Sequence, residues 1–69
     1  MRTFIFDHYA GYYYLRGTGE PLNQYIPDTF AQVMNCSYFR CLRLCDGKEE
    51  YYARRDPNTD TITLKISKL

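Results

Sequence analysis

Long apolar segments are absent from this sequence, in which no uninterrupted apolar run exceeds four residues. A membrane-spanning helix needs about 20 apolar residues, and a secretory signal peptide needs an apolar region close to the N-terminus. The chain carries the acidic residue Asp7 at that place. We therefore expect a protein that does not bind membranes and acts in the cytoplasm, which is the host cytoplasm if the protein is viral.

Cysteine is also scarce, and its three occurrences lie in one stretch, at Cys36, Cys41 and Cys45. An odd count without a second cluster does not provide a disulfide framework. If residues 37–45 form a strand, Cys41 and Cys45 share a face but lie about 13 Å apart, too far for a disulfide or for one zinc ion. We therefore expect reduced thiols and no metal site.

Candidates for catalysis are equally few, because His8 is the single histidine. It follows Asp7, but adjacent strand residues point to opposite faces, so these two side chains do not form an acid–base pair. No spacing requires a nucleophilic pair of His8 with Cys36 or Cys41. The Gly-Thr-Gly sequence at 17–19 lacks the lysine and the following helix of a phosphate-binding loop. We expect no catalytic residues, no cofactor and a protein that is not an enzyme.

Length and composition are those of one small globular domain. The chain has 69 residues, of which 45% are hydrophobic and 25% are charged, and folding buries about 60% of the surface of a chain this short. We expect a single domain over residues 1–69, because no repeat or linker interrupts the sequence. The net charge of +1 lacks the strong basic excess of a dedicated nucleic-acid-binding protein.

Tyrosine is abundant, and four of the eight tyrosines lie within residues 8–17. Strand-forming residues on both sides of Ala10-Gly11 predict a β-hairpin, with a loop of two residues at 10–11 or of four residues at 8–11. Because side chains alternate along a strand, the register places each neighbour of the central tyrosine on the other face. One face then carries Phe4, Phe6, Tyr13 and Leu15, and the other carries Ile5, Asp7, Tyr12 and Tyr14.

A short helix is predicted from about 28 to 36, after an irregular connection at 17–28. The connection has two glycines and two prolines, which favour loops. Thr29 and Gln32 have the spacing of a capping box. Three apolar residues at positions i, i+3 and i+4 form the stripe that would pack on a sheet, namely Phe30, Val33 and Met34.

Two further hairpins are predicted in the second half of the chain. Asp46-Gly47 is a strong signal for a two-residue type I′ turn, which pairs Cys45 with Lys48 and Arg43 with Glu50. Asp56-Pro57-Asn58-Thr59 suits a type I turn, which pairs Arg55 with Asp60. With these registers one face of the three strands is apolar, and it comprises Leu42, Leu44, Tyr51, Ala53, Ile62, Leu64 and Ile66.

The fold class that follows is a small α+β domain with the order ββαβββ, in which one short helix packs on one face of an antiparallel sheet. The other face is expected to remain open. Its last strand is polar, with Thr61, Thr63, Lys65 and Ser67 on this face. The preceding strands instead bring together aromatic and basic residues with two local acids, namely Tyr12, Tyr14, Phe39, Tyr52, Arg43, Arg54 and Lys48, with Ile5, Cys41, Asp7 and Glu50.

Exposed tyrosine and arginine side chains are typical of binding surfaces. We therefore expect a protein-binding module, and the predicted partner-binding residues are Tyr12, Tyr14, Phe39, Tyr52, Arg43 and Arg54. Enzyme-free chains of this size are frequent among phage and mobile-element proteins that inhibit host machinery, including anti-CRISPR proteins. By this analogy alone, the expected role is that of such an inhibitor.

Three alternatives stay open at this point. The same face has the ingredients of a platform for single-stranded nucleic acid, in which rings stack on bases and cations follow phosphates. It could also be buried by a second copy in a homodimer or larger structural assembly. Finally, tyrosine is a good strand former, so each tyrosine could be an ordinary strand residue while the 17–28 connection is the site.

Overall fold

Within residues 1–36 and 38–69, five strands form one antiparallel sheet, and the α-helix packs on one of its faces. The computed structural model describes residues 1–36 and 38–69. In chain order the elements are β1 (Arg2–Tyr9), β2 (Tyr12–Leu15), a 3-10 helix (Leu22–Gln24), α1 (Asp28–Cys36), β3 (Cys41–Cys45), β4 (Glu49–Asp56) and β5 (Thr61–Lys68). The strand order is β2-β1-β5-β4-β3. The predicted small α+β fold and its order of elements are confirmed.

The β1–β2 hairpin has the faces that the sequence predicts and the shorter of the two predicted loops. Tyr9 lies opposite Tyr12, so the loop is the two-residue segment Ala10-Gly11. Both of its residues have positive φ, at 53° and 86°, as a type I′ turn requires. Tyr13 is 3% exposed, whereas Tyr12 is 56% exposed. The alternation of the tyrosines between core and surface is therefore confirmed.

The register of the β3–β4 hairpin differs from the prediction by two residues. Cys45 lies opposite Glu50, not Lys48, and Arg43 lies opposite Tyr52, not Glu50. A shift of two residues moves each side chain along its own face without turning it over. The predicted pairs are therefore wrong, but the predicted faces of residues 41–45 and 49–55 are kept.

The cause of this shift lies in the turn itself. The Oδ1 atom of Asp46 accepts hydrogen bonds from the backbone N–H groups of Lys48 (2.9 Å) and Glu49 (2.8 Å). These bonds hold Asp46 at negative φ, and Gly47 takes the positive value, 92°. The turn is therefore centred on Gly47-Lys48, with glycine in the first central position as in a type II′ turn.

The β4–β5 hairpin shows the same kind of shift. Arg55 lies opposite Ile62, not Asp60, because the four-residue loop occupies 57–60, one residue later than predicted. The N–H of Asp60 donates to the carbonyl of Asp56 over 2.8 Å, and Asp60 has a φ of 53°. Aspartate tolerates this left-handed conformation better than most residues, and here it closes the loop.

The core lies between the sheet and the helix, and its sheet side is the predicted apolar face. The helix contributes Ala31 and Met34, while Val33 is 38% exposed, so the predicted stripe is wrong at that position. Asp28 begins the helix one residue before Thr29, and the N–H groups of Phe30 and Ala31 donate to the carbonyl of Pro27. The fully buried large side chains are Phe6, Leu22, Met34, Ile62 and Leu64.

Part of the core comes from the connection between β2 and α1. The sequence predicts an irregular loop there, but the connection contains the 3-10 helix and buries Leu22 and Ile26, which are 1% and 5% exposed. Tyr25 packs on the ring of Phe4 with 5.0 Å between centroids. The connection therefore packs beside α1 on the same face of the sheet.

A substitution at Gly47 tests the left-handed turn. Gly47→Val is expected to lower the free energy of unfolding by more than about 1 kcal/mol, because a β-branched residue is strained at positive φ. A Cβ at this position meets no other atom within 4 Å, so the cost is one of backbone conformation. Chemical denaturation measures it, with Lys48→Val in the same turn as the control. An unchanged midpoint for Gly47→Val would contradict the turn.

Candidate functional site

The sheet face that points away from α1 is called the open face here. Both helical segments supply side chains to the core on the other face. Across the open face, two rows of paired residues run from β1 through β5 and β4 to β3. The first row is Ile5, Thr63, Arg54 and Cys41, and the second is Thr3, Lys65, Tyr52 and Arg43.

The strand order divides the predicted binding residues into two groups. Tyr12 and Tyr14 lie on β2 at one edge, whereas Tyr52 lies on β4, three strands away, a distance of about 14 Å at the usual strand spacing. The polar strand β5 stands between them. The sequence predicts one continuous aromatic surface, and that prediction is wrong because the last strand of the chain is central in the sheet.

The first group, called the arginine cluster, consists of Arg43, Tyr52 and Arg54. The guanidinium of Arg43 lies 5.7 Å from the centre of the Tyr52 ring, within range of a cation–π interaction. The Tyr52 hydroxyl donates to Cys41 Sγ over 3.5 Å, and this hydrogen bond raises the pKa of Tyr52. Arg54 is exposed beside them on the same face.

One acidic side chain adjoins this cluster. Glu50 Oε1 lies 3.8 Å from Arg43 Nε, so the charged pair that the sequence predicts is present, although the two residues are diagonal neighbours rather than directly opposite. The side chain of Arg43 remains 66% exposed. The arginine cluster therefore keeps a positive charge that is open to solvent.

The second group, called the tyrosine hairpin, consists of Tyr9, Tyr12 and Tyr14 on β1 and β2. Tyr9 is 74% exposed, whereas Tyr14 is partly buried. The nearby acid Asp7 is paired with Arg16 at 2.7 Å, and this hydrogen bond lowers the pKa of Asp7. The hairpin therefore offers aromatic surface beside the carboxylate of Asp7, which is already paired with an arginine.

Phe39 does not belong to the open face. The sequence places it in the strand that contains Cys41, but β3 begins at Cys41, so the alternation of that strand does not extend back to residue 39. Phe39 is 9% exposed and belongs to the core, where the guanidinium of Arg55 lies 4.7 Å from its ring centre. Its predicted exposed position is wrong.

A polar cluster on the core side of the sheet was not predicted. His8 Nδ1 lies 2.9 Å from Asp60 Oδ2, and the Tyr13 hydroxyl donates to Asp60 Oδ1 over 2.7 Å. Burial, and then this hydrogen bond, raise the pKa of Tyr13 to about 12. The guanidinium of Arg55 lies over the Tyr13 ring at 5.5 Å. Asp7, the sequence neighbour of His8, takes no part in the cluster.

The geometry of this cluster serves the fold. The carboxylate of Asp60 contacts the imidazole of His8 and accepts a hydrogen bond from the Tyr13 hydroxyl, so it connects the 57–60 loop to the first hairpin. Among residues 1–36 and 38–69, no hydroxyl or thiol is hydrogen-bonded to the imidazole in the way that a base-activated nucleophile would be. The sequence offers no signal for the cluster, because its members are brought together only by the pairing of distant strands.

Other sites are few in the described part of the chain. Cys36, Cys41 and Cys45 are free and exposed. No group of three or more histidine, cysteine or acidic side chains among the described residues is arranged to hold a metal ion. Neither helical segment in those residues has the length and apolar character that a membrane crossing requires.

Comparison with known proteins adds no family to this description. No family model matches the chain, and no match is found with a curated protein or with a solved structure.

Proposed function

We propose that this chain is a non-enzymatic protein-binding module that docks to its partner through the open face, with the arginine cluster at the centre of the contact. The observation that carries the proposal is the side-by-side placement of Arg43, Tyr52 and Arg54 on the open face. The core residues of both helical segments lie on the other face of the sheet. Tyrosine and arginine are the side chains most enriched at the energetic centres of protein interfaces.

The tyrosine hairpin extends the same surface. A standard interface buries about 800 Å² on each partner, which is wide enough to include Tyr12 and Tyr14 together with the arginine cluster. The polar residues in the middle of β5 between them, Thr63 and Lys65, supply hydrogen-bonding groups of the kind that interfaces also contain. The proposed partner is a component of a host machinery that the protein inhibits, as phage anti-defence proteins such as anti-CRISPR proteins do.

The single-strand nucleic-acid alternative receives less support from this geometry. Such platforms stack successive bases on neighbouring rings, whereas Tyr52 is separated from Tyr12 and Tyr14 by three strand spacings, about 14 Å. Glu50 also adjoins the arginine cluster and would repel phosphate. The two readings differ in salt dependence, because counterion release makes nucleic-acid binding fall steeply as salt rises.

The test begins with capture of a partner from the source cell or its host, with nuclease treatment to remove nucleic acid. Tyr12→Ala, Tyr14→Ala and Tyr52→Ala are each expected to weaken binding about 30-fold, equivalent to about 2 kcal/mol, as measured by calorimetry. The folded state is checked by circular dichroism. A steep loss of binding with salt would favour nucleic acid instead.

Matched controls are available on the central strand. Thr61→Ala and Ser67→Ala lie at opposite ends of β5 on the open face, and both are expected to bind like the unchanged protein. If the three tyrosine variants also bind normally while substitutions in the 17–28 connection abolish binding, the site is the connection. A doubled mass in solution that depends on Tyr52 would indicate a homo-oligomer that buries this face.

A further inference from the structure

The outer edge of β3 presents unpaired backbone groups. Hydrogen bonds from Arg55 N to Arg40 O (2.9 Å) and from Asp46 N to Glu49 O (3.2 Å) mark the hydrogen-bonded pairs at the two ends of the β3–β4 ladder. Because these pairs alternate along antiparallel strands, Leu42 and Leu44 direct their N–H and C=O groups toward β4. The groups that point outward are those of Cys41, Arg43 and Cys45.

The opposite edge of the sheet is closed by the chain itself. On β2, the outward N–H of Tyr13 donates to Asn35 Oδ1 over 3.2 Å, and that of Leu15 donates to the carbonyl of Glu20 over 2.7 Å. The carbonyl of Leu15 accepts from Gly19 N at 2.8 Å. Within residues 1–36 and 38–69, no comparable bond covers β3, so β3 is the edge at which another strand can pair.

The side chains along β3 define what such a strand would need. On the open face, β3 carries Arg43 between two cysteines, and Arg54 follows on β4. On the core face, Leu42 and Leu44 are only partly buried, so an added strand would cover apolar surface there. β3 contains no acidic residue. The complementary strand therefore alternates acidic side chains on the open face with apolar side chains on the core face.

A second copy of β3 does not meet this requirement. Continuing the sheet with the same faces aligned requires an antiparallel register in which odd-numbered residues oppose odd-numbered residues. In each such register that pairs most of the strand, Arg43 stands opposite or diagonal to Arg43 of the other copy. Like charges at these positions destabilise strand pairing, and a charged residue is a common protection of edge strands against self-association.

From these observations we infer that the partner docks by adding an extended strand, with alternating acidic and apolar side chains, to the free edge of β3. This inference rests on the proposed function, because it specifies the chemistry of the protein partner and its mode of contact. The backbone of β3 supplies hydrogen bonds, Arg43 and Arg54 select the acidic side chains, and Leu42 and Leu44 receive the apolar ones.

The test uses the full chain and a blocked synthetic peptide of about six alternating glutamate and valine residues, the usual length of a strand. Binding is expected to protect the backbone amides of Cys41, Arg43 and Cys45 from hydrogen exchange. Two further versions of the peptide serve as a matched pair, one with N-methylated glutamates and the other with N-methylated valines at the backbone. Both keep the same side chains. One of them is expected to lose binding at least about tenfold, because it loses the hydrogen bonds to β3, while the other retains it.

A charge reversal provides the matched protein variants. Arg43→Glu is expected to weaken binding of the acidic peptide about tenfold and to strengthen binding of the corresponding lysine–valine peptide. Lys68→Glu changes the net charge equally at the exposed end of β5 and is expected to leave the preference unchanged. Equal effects of the two substitutions, or binding without protection of the three amides, would overturn the inference.

Failure of the inference and failure of the proposed function give different results. A captured partner that depends on Tyr52 but leaves the β3 amides unprotected would retain the proposed function and overturn strand addition. Peptide addition at β3 together with a captured partner that is insensitive to Tyr52→Ala would retain strand addition and overturn the proposed function. Protection of the β3 amides in a dimer of the free protein would show that a second copy, not an acidic strand, occupies this edge.

Discussion

Replacing Leu64 with alanine is expected to lower the free energy of unfolding by about 2–5 kcal/mol, the range for removing a fully buried leucine side chain. Leu64 is 0% exposed and lies on the central strand, between Phe4 and Ala53 on the neighbouring strands. Because β1 and β4 pair with β5 from both sides, the cavity opens in the middle of the core, where no loop can move in to fill it.

The size of this effect matters because the domain is small. At about 0.05–0.15 kcal/mol per residue, a chain of 69 residues has a total stability of the same order as the expected loss. Urea denaturation measures the change, with Leu69→Ala as the control because Leu69 is 70% exposed. A variant that unfolds at the same urea concentration as the unchanged protein would contradict the central position of Leu64.

Alkaline pH is expected to unfold the domain through two buried tyrosines. Burial, followed by a hydrogen bond to Asp60, raises the pKa of Tyr13 to about 12, and burial with a hydrogen bond to Asp46 does the same for Tyr51. In the unfolded chain a tyrosine titrates near pH 10. The folded state therefore holds the two protons more tightly than the unfolded state does.

The sign of the pH dependence follows from these raised pKa values. The two protonated tyrosines contribute a stabilisation of the folded state that is fully present below pH about 10. It is lost as the pH rises toward 12, because in this range the unfolded state binds fewer protons than the folded state does. The slope reaches about 1.4 kcal/mol per pH unit for each tyrosine, so each contributes a loss of about 2 kcal/mol across this window. Urea denaturation at a series of pH values, together with tyrosinate absorbance, measures the loss.

Single substitutions separate the two tyrosines. Tyr13→Phe is expected to reduce the pH-dependent loss by about half, because Tyr51 is then the remaining one of the two tyrosines whose pKa is raised to about 12. Tyr9→Phe is the control, since Tyr9 is 74% exposed and donates no hydrogen bond to an acid among the described residues. An unchanged pH profile for Tyr13→Phe would mean that the Tyr13–Asp60 contact does not form in solution.

The faces of the strands could be predicted from local pattern alone. Side chains alternate with a period of two, and the hairpin signals at Ala10-Gly11 and Asp46-Gly47 place each strand relative to its neighbour to within an even number of residues. Tyr13 is therefore buried and Tyr12 exposed whatever the details of the turn. The helix at Asp28–Cys36 follows from similar local patterns, although its burial of Ala31 instead of Val33 depends on how the helix is rotated against the sheet.

The registers depended on atoms that a pattern does not describe. At the β3–β4 turn, the carboxylate of Asp46 accepts hydrogen bonds from two backbone N–H groups, and of the two residues predicted to have positive φ only Gly47 has it. At the β4–β5 turn, Asp60 adopts a left-handed conformation and also reaches His8 and Tyr13, which lie about fifty positions earlier in the chain. Such contacts exist only once distant strands have paired.

The sequence by itself determined which side chains of the five strands leave the core, and with them the identity of Tyr12, Tyr14, Tyr52, Arg43 and Arg54 as surface residues. The tertiary structure alone decided how those residues are grouped, because strand order is set by long-range pairing and packing rather than by local alternation. By placing β5 in the centre it separated the tyrosine hairpin from the arginine cluster. By folding the 17–28 connection against β2 it closed one edge of the sheet and left β3 open.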